Sequence, residues 1–199
     1  MKKFALIFVC GALCASLLTA CGSAGGNINN PTIAPTETSE TQTTASYESA
    51  QALLESVYQG MKEEFPAAGG DEAHDTEGPG SFDIGTYGES FQYQLLLDDE
   101  LLGMVKPQAA TLLHMMNTNT FCSAAVQLED AAKADDFAQH YKTIVQSNHW
   151  MCGFPDTVVV LSLGDYVLTA YGADDLIQSF KDSAMALGAA LLVEAPAEA

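Results

Sequence analysis

Five cysteines and four histidines are the side chains of this 199-residue chain best suited to chemistry. Cys10, Cys14 and Cys21 crowd the N-terminus, whereas Cys122 and Cys152 lie far downstream among His114, His140 and His149. A cysteine nucleophile needs a histidine to take its proton and donors to hold an oxyanion. The sequence supplies these residue types and does not place them together. Cys122 falls on the apolar side of an alternating run, the position of a small core residue. Sortase-like chemistry would lack its arginine, because all seven basic residues are lysines. No GxSxG, HExxH, P-loop or GxGxxG pattern occurs. No catalytic residue is assigned; a thiol-dependent enzyme or redox protein using Cys122 or Cys152 is the alternative.

The richest set of hard ligands is Asp71-Glu72-Ala73-His74-Asp75-Thr76-Glu77. Its carboxylates suit Ca²⁺, yet Ala73 stands where a calcium loop of the EF-hand kind needs an oxygen. A solvated acidic loop is the expectation and calcium binding through residues 71–77 the alternative. His140 and His149 stand about 180° apart around a helix and cannot share a metal from one face. No metal and no cofactor is expected.

Charge narrows the partners. Twenty-six acidic residues face seven lysines, for a net charge of −19. Such a surface repels phosphates, and without arginine the chain lacks the usual bidentate phosphate reader. Nucleic acid is excluded as a partner.

The elements that must hold these residues begin with an export signal. Lys2 and Lys3 precede an apolar run from Phe4 to Ala20, short for a membrane span and of the length of a signal-peptide core. The run ends Leu18-Thr19-Ala20-Cys21, which resembles the lipobox of bacterial lipoproteins. That resemblance implies cleavage after residue 20, acylation of Cys21 and a lipid anchor on the outer face of the cell membrane; two acyl chains give stable anchoring where one is marginal. Removing the two lysines takes the formal charge from −19 to −21.

Residues 21–45 then form the lipidated cysteine and a Thr/Ser-rich linker with little to bury, expected to stay disordered. As a flexible coil it would span about 25–30 Å. In an exported chain Cys122 and Cys152 make a candidate disulfide, closing a loop of about 30 residues and contributing roughly 3–4 kcal/mol. Two reduced thiols are the equal alternative.

A single domain is expected over 46–192, with an acidic, fraying tail over 193–199. Ser46 is a candidate cap for a helix whose apolar face runs through Leu53, Leu54, Val57 and Met61 and which Pro66 ends. Residues 67–90 read as one long Gly-rich acidic loop. Asp98 or Asp99 caps a short helix closed by Pro107; residues 109–116 read as a strand, with a helix as the alternative, and 120–128 as a half-buried strand. Asp130 opens a helix bearing Phe137, Tyr141 and Val145. Residues 158–171 form a hairpin turning at Gly164-Asp165, and Asp174 caps a last helix. Trp150, Met151 and Phe154 are expected to lid the core or, if exposed, to bind a partner. This order implies an α+β fold, an antiparallel sheet of about four strands packed by helices as a two-layer sandwich.

The short helix from Leu97 to Met104, the Met115-Met116-Asn117 run and the Gly164-to-Leu168 hairpin resemble a family of small lipoproteins from clostridial Gram-positive bacteria. The resemblance covers about half the chain, residues 95–190. It implies the fold and brings no catalytic residues. Cys122, Cys152 and the acidic loop depart from the family pattern. The expected function is a membrane-tethered, non-enzymatic binding or accessory domain for a protein or cell-wall partner.

Overall fold

The structure is a computed structural model describing residues 46–71, 73–86, 93–116, 120–151 and 153–198. The signal segment 1–20, the lipobox residues Leu18, Thr19, Ala20 and Cys21, and the linker to residue 45 lie outside the described residues.

The fold is α+β, built on an antiparallel sheet of eight strands rather than about four. Helix α1 (Ala50–Gly60) is capped by Ser49, whose hydroxyl accepts from the Ala52 amide at 3.1 Å. It therefore starts after the expected Ser46 and ends before Pro66. Strands β1 (Ala67–Gly69), β2 (Thr76–Glu77) and β3 (Gly80–Asp83) occupy the stretch expected as loop. They escaped notice because two to four residues are too short to show an alternating pattern. Helix α2 (Asp99–Leu102) leads into β4 (Val105–His114). Pro107 is tolerated inside β4 because the pairing with the next strand is irregular between Val105 and Ala109.

Strand β5 (Phe121–Leu128), helix α3 (Ala134–Ser147), strands β6 (Thr157–Leu163) and β7 (Tyr166–Gly172), helix α4 (Asp174–Ala186) and strand β8 (Ala190–Pro196) complete the domain. A 3-10 turn over Ala131–Lys133, capped by Asp130, precedes α3. Gly164 takes φ +63 in the β6–β7 turn and Asp165 does not go positive, the type II′ geometry. Of the tail expected to fray from Val193, residues 193–196 lie within β8, which pairs to β6 from Ala190 to Pro196 with Val193 buried against the core.

The order across the sheet is β2-β1-β4-β5-β7-β6-β8, with β3 also on β4. Both faces are covered, so the domain has three layers and not two. On one face α3 sets Phe137, Tyr141 and Val145 against Cys122, Ala124, Val126, Val160 and Val167. On the other, α1 and α4 set Leu53, Leu54, Val57, Ile177 and Phe180 against Leu112, Ala125, Val159, Leu161 and Leu168. This is why every residue of β7 is buried. It is also why β5, read as half-buried, carries small residues on its second face: Ser123 and Ala125 lie under a helix layer. The helices α1 and α4 are stitched through Ser183, which donates to the Val57 carbonyl, and Ser179, which accepts from the Lys62 amide at 2.8 Å. No helix among the described residues is long and apolar enough to cross a membrane.

Candidate functional site

Among the described residues, Cys122 and the histidines do not converge. Cys122 lies on the α3 face of β5, buried and with a free thiol. Its Sγ donates to the Gln94 carbonyl at 3.4 Å, and the Tyr171 hydroxyl donates to the same oxygen. Burial pushes the thiol up to about 12, against a small opposing effect of the Tyr171 hydroxyl. Burial likewise raises Tyr141 and Tyr171 well above the ordinary phenol value. A thiol in this setting stays protonated at neutral pH, and a protonated thiol is a weak nucleophile. Cys152 lies outside the described residues.

The histidines are spent elsewhere. His114 stacks on Phe65 at 5.4 Å, within the layer of α1 and α4, and its Nδ1 accepts from the Met116 amide. The sheet thus separates it from Cys122. His149 is exposed. His140, on α3, pairs its Nε2 with Asp98 Oδ2 at 2.7 Å and lies 3.8 Å from Glu100.

The acidic loop is partly used for its own turn: Asp71 Oδ1 accepts from the Ala73 amide at 2.9 Å. Glu72 lies outside the described residues. Among the described residues no group of three or more His, Cys, Asp or Glu side chains is placed to hold a metal ion.

Two features stand out instead. The first is one end of the sheet. The pairings Leu113–Cys122, Phe121–Gly172 and Thr157–Gly172 bring the end of β4, the end of β7 and the starts of β5 and β6 to the same end. Met115 and Met116 follow β4 there, and Met151 and Phe154 lie in the loop entering β6. All four are exposed, Met151 at 91% and Phe154 at 64%. Only Trp150 of the expected lid packs inward, its ring 5.1 Å from Tyr171. Acidic groups accompany Met116: Glu63, Glu64 and Asp175 line a hollow with it, Phe65 and His114.

The second is a cleft of about 440 Å³ between the segment 93–99 and the C-terminal end of α3. Leu96, Leu97 and Ile144 supply apolar walls; Tyr93, Asp98, Asp99, Ser147 and Asn148 supply polar ones. Leu96 holds a left-handed φ of +56 while buried, the bend that carries the chain from Tyr93 to Asp98. Asp98 is anchored twice, Oδ1 accepting from the Leu101 amide at 3.0 Å and Oδ2 facing His140. Its burial works to raise the carboxyl, and the bonds from Leu101 and His140 outweigh it, so Asp98 sits below its ordinary value. Sequence reasoning saw Asp98 and Asp99 as caps. It could not bring them to Ile144 and Asn148, some 45 residues away, because that meeting depends on α3 crossing the sheet.

Compared with family models, with curated proteins and with solved structures, the chain finds no match. The likeness to the clostridial lipoprotein family therefore rests on the residues quoted for it.

Proposed function

We propose that the chain is an extracytoplasmic lipoprotein, anchored through acylated Cys21 to the outer face of the cell membrane. Its domain is a non-enzymatic binding or accessory module for a protein or cell-wall partner. The observation that carries the partner reading is the end of the sheet where Met115, Met116, Met151 and Phe154 stand exposed, with Glu63, Glu64 and Asp175 lining a hollow together with Met116. Methionine and aromatic side chains exposed together favour a partner that buries them, and methionine adapts to its shape. The carboxylates select a partner that is basic around an apolar centre. Cys122, buried and protonated, supports the non-enzymatic side of this reading.

Two measurements test it. Labelling cells with an alkyne fatty acid should mark the chain, and Cys21→Ala should abolish both the label and membrane retention. A photo-crosslinking residue at Phe154 should trap one partner reproducibly, whereas one at Gln178, on the exposed side of α4, should not. Equal trapping from both positions, or none from either, would overturn the partner reading.

A further inference from the structure

From the cleft beside α3 we infer that the domain holds a lysine-type alkylammonium side chain presented by a peptide. The inference rests on the partner reading above and names the chemistry of a second contact with that partner. The size of the cleft, about 440 Å³, is in the range of small-ligand sites. Its apolar part, Leu96, Leu97 and Ile144, fits an aliphatic stem. Its polar part is of one sign. Asp98 is committed to the Leu101 amide and to His140, while Asp99, in the first turn of α2, is exposed and has no ion-pair partner among the described residues. The 14-residue helix α3 ends at the cleft with Ser147 and Asn148, so the negative end of its dipole adds to the carboxylates. Among the described residues no lysine lines the cleft. Tyr93, 75% exposed, lines the cleft with an aromatic ring, the kind of group that attracts an ammonium.

An anion is repelled by Asp99 and the helix end, and a wholly apolar ligand leaves the Asp99 carboxylate without a partner as it loses water. A stem with a terminal positive charge satisfies both halves of the site. A peptide source fits better than a free amine because the cleft is wider than one side chain needs and open to solvent along Tyr93 and Asp99.

The chain carries its own reporter. Trp150, the only tryptophan, lies two residues beyond Asn148 and packs on Tyr171, whose hydroxyl is bonded to Gln94 beside Tyr93. Full-length protein in detergent micelles would be titrated with Nα-acetyl-lysine methylamide while tryptophan fluorescence is followed. The expected result is saturable binding that weakens about twofold to fivefold in Asp99→Asn and falls at high salt, as an exposed ion pair should. Tyr93→Ala, at an exposed position outside the core, should weaken it by about twofold to fivefold. Melting curves matching the unmodified protein show that either variant is folded. The Nε-acetylated probe, of the same shape without charge, should not bind.

Absence of saturable binding at millimolar probe, equal binding of the neutral probe, or indifference to both substitutions overturns the inference. Binding of n-pentylammonium as tight as that of the lysine amide overturns the peptide source in favour of a free amine. If crosslinking from Phe154 persists while the cleft binds nothing, the partner reading stands and this inference alone fails.

Discussion

Asp98 and His140 tie two helices together: the carboxylate that caps α2 through the Leu101 amide also lies 2.7 Å from the Nε2 of His140 on α3. One side chain thus fixes both the start of a four-residue helix and its distance from the helix across the cleft. A helix this short cannot hold itself and depends on its cap and its packing. Asp98→Ala should cost about 1 kcal/mol, the ordinary value for losing a cap. His140→Ala should cost less, since its partner keeps the Leu101 bond. Urea denaturation of both variants and the double variant measures their coupling. Strict additivity would show that the pair does not act together.

The same pair sets a pH dependence. The folded-state pKa of Asp98 lies below its ordinary 3.8, so the folded protein holds the ionised form more strongly than the unfolded chain does. This contribution is present in full above about pH 5 and is lost as pH falls through 3.8 and below. Because Asp98 is part-exposed, the effect should be modest. It should appear as a smaller gap in melting temperature between the unmodified protein and Asp98→Asn at pH 3 than at pH 6. A gap that widens in acid would reverse the assigned sign.

Cys122 carries the opposite slope. Its pKa is raised from 9.0 to about 12, so the unfolded chain releases this proton first as pH rises. Its contribution is complete below pH 9 and declines between 9 and 12, by at most roughly 4 kcal/mol if the whole shift is realised. Cys122→Ala should flatten that alkaline loss. In a Cys152→Ser background, a maleimide should leave Cys122 unmodified at pH 7.5 and label it in urea. Labelling of the native protein within minutes would return Cys122 to the candidates for thiol chemistry.

The legibility of this chain follows the length of its elements. Helices α1, α3 and α4 show in the sequence because each runs for three turns or more with one apolar face. The β6–β7 hairpin shows because Gly164 marks its turn. Strands β1 to β3 are hidden by brevity, and β8 was masked by its acidic neighbours, Glu194 and Glu198. The third layer was missed because Ser123 and Ala125 look like a wet face when they are a tightly covered one. The cleft was illegible for a different reason. Its residues come from two segments that only the packing of α3 brings together.

The part of the chain read as a loop also holds a tight backbone crossing. At Gly80, a Cβ would lie 2.3 Å from the Gly70 amide nitrogen and 2.7 Å from the carbonyl carbon of Gly69. Directly beneath, the buried Thr111 hydroxyl donates to the Gly70 carbonyl at 2.7 Å and accepts from the Gly70 amide at 2.9 Å. The neighbours of Gly80 are backbone atoms and cannot swing aside, so Gly80→Ala must push β3 away from β1. We expect a loss of about 1–3 kcal/mol or more, as for other overpacked sites. Thr111→Val keeps the shape and leaves both polar groups of Gly70 without their partner, for about 1–3 kcal/mol. Both changes act on Gly70, and once β3 has moved the threonine has less to hold. The double variant should therefore lose less than the two single losses added together in urea denaturation. Full additivity would mean that the crossing and the threonine bond stabilise separate parts of the sheet edge.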